Sequence, residues 1–70
     1  MLITGTLKGF NAGTYKAIVK LSGSNVIFMH DVSVARNIAA IEMVTDRECC
    51  VYFPHGLSNP GNAVVIAVWT

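Results

Sequence analysis

Charged side chains are scarce in this sequence: five Lys or Arg and four Asp or Glu make up 13% of its 70 residues, about half the usual ~25% share. The net charge of +1 provides no long-range pull on nucleic acid or anionic lipid. Long apolar runs are missing too. Nothing approaches the ~18 uncharged residues of a membrane-spanning helix, so no membrane partner is expected. The longest apolar stretch, Ala63 to Trp69, has strand length. Cysteine occurs only as the adjacent pair Cys49-Cys50. On a strand these side chains point to opposite faces and are badly placed to bond each other. A disulfide framework is excluded, and free thiols suit a reducing compartment or burial as small hydrophobes. Met1 to Thr6 has no basic segment and reads as a strand, not as a secretion signal.

Residues 1–70 form one domain, and a small one. A chain of this size buries only about 60% of the surface exposed when unfolded, so it needs a disulfide, a metal or a partner subunit. Apolar residues make up 53% of the sequence, too many for nine charged side chains to screen. Large exposed apolar patches mark association sites, and a homo-oligomer is the expected state.

Gly, Asn, Ser and Pro divide the chain into strands at Leu2–Lys8, Thr14–Leu21, Val26–His30, Cys49–Phe53 and Ala63–Trp69. The second alternates cleanly: Tyr15, Ala17, Val19 and Leu21 share one face, while Thr14, Lys16 and Lys20 share the other, the period of a half-buried strand. Ser22 to Asn25 joins it to the third strand as a hairpin turn. Between the third and fourth strands, Asn37 to Met43 carries helix formers but is too short for more than one turn of α or 3-10 helix. The expected fold is all-β: a small five-stranded antiparallel barrel, SH3- or OB-like, with one short helical turn. The expected core is Ile3, Leu7, Tyr15, Ala17, Val19, Leu21, Val26, Phe28, Val51, Phe53, Val64, Ile66 and Val68.

The last three strands are apolar on both faces. A barrel interior takes one face of each strand, so the other needs a cover. The segment near Ile38 to Met43 can cover one strand or two, but not three. A homo-oligomeric interface built from Ile27, Met29, Tyr52, Val65, Ala67 and Trp69 is expected, with the Pro54 to Asn62 loop at its margin. Symmetric rings or trimers suit a subunit with two such faces.

Catalytic chemistry finds little footing. A nucleophile needs an oriented base beside it, yet Cys50 and His55 are separated by strand and turn, and only Arg47 lies near Cys50 to lower its pKa. Cys49, Cys50, His30 and His55 match no zinc spacing. Glu42, Asp46 and Glu48 lie among Arg36 and Arg47 as a solvated surface cluster, and phosphate-binding glycine loops are absent. The chain is therefore expected to be non-enzymatic, with no cofactor and no metal. Two alternatives are kept. One is a single-stranded nucleic-acid-binding barrel using Lys8, Lys16 and Lys20, which lacks aromatics interleaved with the lysines. The other is a small-ligand pocket near His30, His55 and Cys50.

Three stretches, Val34 to Val44, Asp46 to Phe53 and Ser58 to Trp69, place a polar turn before a strand ending in an aromatic, then a Gly/Asn/Pro hairpin and a valine-rich strand. This C-terminal half resembles small OB-like barrel modules of tailed-phage tail and baseplate proteins. The resemblance implies a structural component of a larger assembly, cytoplasmic or in a virion, with other structural proteins as further partners. It implies no catalytic residues.

Overall fold

The computed structural model describes residues 1–22, 28–56 and 60–70. Five strands form one sheet: β1 (Leu2–Asn11), β2 (Lys16–Leu21), β3 (Phe28–Val34), β4 (Glu48–Tyr52) and β5 (Val64–Trp69). Their order, β1-β2-β3-β5-β4 with β4 returning to β1, closes into a barrel. The all-β expectation holds. The purely antiparallel one does not, because β3 and β5 run parallel over Ser33↔Val64 and Val34↔Val65. That short seam is where the ring closes, and Ala35 N–H donates to the Val65 carbonyl at 2.9 Å to extend it. The connection from β3 to β4 carries a 3-10 turn at Ala40–Glu42, inside the segment expected to make one. A second 3-10 turn, Pro60–Asn62, precedes β5.

Three bulges bend the ring. In β1 the register moves from Leu7↔Val19 to Gly9↔Ile18, leaving Lys8 as the extra residue. In β3 it moves from Val32↔Ala17 to Met29↔Val19, and Asp31 takes a left-handed φ of 57°, a conformation Asp tolerates better than most residues. In β5 it moves from Ala67↔Cys50 to Val65↔Val51, so Ile66 is extra. Each bulge shifts the side-chain alternation by one and sharpens the local twist. Inward residues on either side of a bulge are consequently three apart: Leu7 and Phe10, Met29 and Val32, Val65 and Val68.

The bulges overturn part of the expected core. Leu7, Val19, Cys49, Val51, Phe53 and Val65 are essentially inaccessible to solvent. Burying side chains of this kind contributes about 1.5–3 kcal/mol for each large one. Ala17, Leu21, Val32, Val34, Met43 and Ala63 complete the core, with Ile3, Phe10, Tyr15, Met29, Ile38 and Val68 packed against it. Phe28 and Ile66, expected inside, are exposed at 45% and 41%. Phe28 pairs with Lys20 on the outward side of β2, and Ile66 is the bulged residue. Val64 is half-buried and pairs with outward Tyr52. Val26 lies outside the described residues.

Tyr15 belongs to the β1–β2 turn and not to β2 itself. The Asn11 side chain accepts from Gly13 N–H at 2.9 Å and its carbonyl accepts from Tyr15 N–H at 2.8 Å, a self-bonded Asn turn. Tyr15 sits at φ 56°, unusual for a bulky residue. Its ring holds that position against the edge of Phe10 at 5.1 Å, with Arg36 4.9 Å above it. Its hydroxyl donates to the Ile38 carbonyl.

Candidate functional site

Residues paired across neighbouring strands share a face, so the register defines what the barrel shows to solvent. Around β1, β4 and β5 the outward rows are Leu2–Tyr52–Val64, then Thr4–Cys50–Ala67, then Thr6–Glu48–Trp69. Ile66 bulges out between the first two rows. Leu2 is 60% exposed, and Tyr52, Ile66 and Trp69 each more than 40%. The middle row is made of small residues and lies between two rows with large ones. Glu48 is the one charged residue within these three strand segments.

The opposite side of the barrel, formed by β2 and β3, is polar. It carries Lys16, Lys20, His30, Asp31 and Ser33, with Lys16 Nζ donating to Ser33 Oγ at 3.2 Å. Lys8, at the β1 bulge, lies beyond the three rows on β1, β4 and β5. Phe28 and Ile18 are the large apolar exceptions on the polar side.

Of the residues expected at the interface, Tyr52, Ala67 and Trp69 fall together on the apolar side. Val65 does not: it is fully buried in the core, because the bulge at Ile66 makes it an inward residue. Met29 also turns inward, paired with core Val19, and packs against the core. Ile27 lies outside the described residues. Leu2, Cys50, Val64 and Ile66 were missed. An unbroken apolar run such as Ala63–Trp69 carries no alternation from which its outward side can be read.

Lys8, Lys16 and Lys20 lie in different surroundings. Lys8, the bulged residue of β1, pairs with Asp46 at 2.8 Å, and Lys16 is engaged by Ser33. Lys20 faces outward beside Phe28. Arg47 is held by Glu42 at 2.7 Å. A cleft of about 260 Å³ opens at the β1–β2 end, lined by Phe10, Asn11, Thr14, Lys16, Ala17, Ile18 and Asp31. His30, Cys50 and His55 do not line it, so the expected ligand pocket around them is not assembled there. Among the described residues no group of three or more His, Cys, Asp or Glu gathers as a metal site, and no helix is long and apolar enough to cross a membrane.

The two cysteines differ sharply. Cys49 points inward, and burial, then the Glu48 carboxylate and Cys50, push its thiol up to about 11. Cys50 points outward and is half-buried in the small row. No family model, curated protein or solved structure matches the chain.

Proposed function

We propose that the protein is a non-enzymatic assembly module, an OB-like barrel that self-associates through the outer face of β1, β4 and β5. One observation carries this reading: the large exposed side chains Leu2, Tyr52, Ile66 and Trp69 lie together on outward rows in which Glu48 is the one charged residue, while Lys16, Lys20, His30, Asp31 and Ser33 lie on β2 and β3. Surface hydrophobics scattered singly are ordinary, but a contiguous patch with a polar surround marks association. The strand order, with β5 joining β3 in parallel, supports the Greek-key, OB-like form of small barrel. The likeness of the C-terminal half to tail and baseplate barrels supports a place in a larger structural assembly of the virion type.

Trp69→Ala tests the reading. Aromatic residues dominate interface energetics, so the variant should associate at least about tenfold more weakly, a loss of about 1.4 kcal/mol or more. Its folded monomer should melt within a few degrees of the parent. An unchanged oligomer with a lowered melting temperature would count against the proposal.

A second reading rests on Phe28. That side chain is exposed and lies directly across from Lys20, giving the polar side the combination of aromatic and cation that single-stranded nucleic-acid binders use. Binding of an oligonucleotide at low salt, weakened by Phe28→Ala and by added salt, would favour it. Absence of binding at low salt would remove it.

A further inference from the structure

We propose that the cleft at the β1–β2 end of the barrel binds a small zwitterion, an amino acid with an apolar side chain, its carboxylate on Lys16 and its ammonium on Asp31. The site is separate from the outward rows on β1, β4 and β5, and stands whether or not those rows form an interface.

The strand register sets the two ends of the cleft. Asn11 of β1 stands opposite Lys16 of β2, and Lys16 opposite Ser33 of β3. Lys16 Nζ donates to Ser33 Oγ at 3.2 Å, which fixes the position of the ammonium. Asn11 Oδ1 accepts from Gly13 N–H at 2.9 Å, so the group this side chain can offer a ligand is its amide nitrogen, a donor. Two donors, one of them charged, therefore stand together at this end. The acceptor comes from β3. Asp31 lies in the bulge between Met29 and Val32, at a φ of 57°, and a bulge re-aims the side chain it carries. Lys16 and Asp31 both line the cleft.

These opposite charges share one cleft without neutralising each other. The ion pairs among the described residues are Lys8–Asp46 and Arg47–Glu42, and Lys16 and Asp31 form none. That separation decides the class of ligand. A bare anion such as phosphate would meet the Asp31 carboxylate, and a bare cation would meet the Lys16 ammonium. A neutral ligand would cover both charges and satisfy neither, at a cost in desolvation. A zwitterion pairs with each through charge-assisted hydrogen bonds. The lining also includes Phe10, Ala17 and Ile18, which suit an apolar side chain on the ligand. Size sets the last limit. The volume of about 260 Å³ falls just below the ~300–1,000 Å³ of sites for drug-sized ligands, which suits one amino acid better than a nucleotide.

The test is an NMR titration of the isotopically labelled full-length chain with L-leucine, read from the backbone amides of Phe10 to Ile18 and of Asp31. Both charges lie at the surface, so binding should be weak, with a Kd on the order of millimolar. Saturable shifts centred on those amides are expected. N-acetyl-leucine lacks the ammonium and leucinamide lacks the carboxylate, and each should bind about three- to tenfold more weakly than leucine. Lys16→Gln should remove the preference for leucine over leucinamide. Asp31→Asn should remove the preference for leucine over N-acetyl-leucine, and Asn accepts the left-handed backbone as Asp does. The spectrum of each variant reports whether it is folded, and the three probes on the parent chain carry the test where a variant is not. No saturable shift at these residues up to the solubility of leucine would overturn the proposal. Binding of either capped probe as tight as that of leucine would overturn it too, because one charge alone would then read the ligand. Preferences unchanged in both folded variants would place the recognising charges elsewhere and refute the site.

Discussion

Gly5 gives the sharpest test of how the barrel is built. It is buried at the centre of β1, paired with Leu21 of β2 on one side and Cys49 of β4 on the other. A Cβ placed there would lie 2.8 Å from the Lys20 carbonyl oxygen and 2.8 Å from a Val19 methyl. The methyl could shift, but the carbonyl is part of the backbone and cannot move without disturbing the β1–β2 pairing. Overpacking of this kind costs about 1–3 kcal/mol. The smaller unfolded-state entropy of alanine returns about 0.4–1 kcal/mol. Gly5→Ala should therefore lose about 1–2 kcal/mol, or roughly 5–15 °C in melting temperature for a domain this small. Gly9→Ala is the matched control. At that position a Cβ meets only Ile18 side-chain atoms, the nearest at 3.5 Å, an ordinary contact, so the substitution should be neutral or stabilising by up to ~1 kcal/mol. Urea denaturation of both variants, at one protein concentration so that any self-association is held constant, reads the difference. A Gly5→Ala protein as stable as Gly9→Ala would refute the close approach of β1 and β2, and with it the tight closure of the ring.

Other expectations follow from the bulges and the buried thiol. Val65→Ala should cost about 2–3 kcal/mol, whereas Ile66→Ala, at an exposed position, should stay within about 0.5 kcal/mol; the reverse ranking by thermal melts would place the β5 bulge elsewhere. Cys49 stays neutral in the folded chain up to about 11, against an ordinary value of 9.0. Its contribution is complete below pH 9 and is lost as pH rises through 11, a fall of about 2–3 kcal/mol. Cys49→Ala should remove that fall, and identical pH profiles for the two proteins would contradict it. Breaking the exposed Lys8–Asp46 pair with Lys8→Met should change stability by no more than about 1 kcal/mol, and a larger loss in urea would give that pair a structural role.

The all-β class, the single helical-turn segment near Ala40 and the inward face of β2 were legible because each rests on local chemistry. Ala17, Val19 and Leu21 alternate with Lys16, Ile18 and Lys20, and lysines cannot enter so small a core. The faces of β3 and β5 were not legible. Val26 to Met29 and Ala63 to Trp69 are apolar at every position, so alternation assigns neither side, and one bulge reverses the assignment. That is how Phe28 and Ile66 came to be expected inside and Met29 and Val65 outside. The bulges are set by how neighbouring strands register and the parallel seam by the meeting of β3 with β5, and no apolar alternation along one strand records either. The outward placement of Tyr52 was legible because β4 is short and bounded by the polar Asp46-Arg47-Glu48 and by Pro54, whereas that of Ala67 and Trp69 rests on the register of β5 against β4. Cys50 was read as a buried thiol or a remote nucleophile candidate, and only the register reveals it as the middle of the outward patch.

The most direct test of the central claim is the absolute mass of the chain by light scattering behind a sizing column, across a wide range of protein concentration. The account predicts a rise from 7.5 kDa to a multiple of that value as concentration increases, abolished by Trp69→Ala. A mass fixed at that of the monomer up to millimolar protein would contradict it, and would leave the apolar side of the barrel to be covered by a different partner.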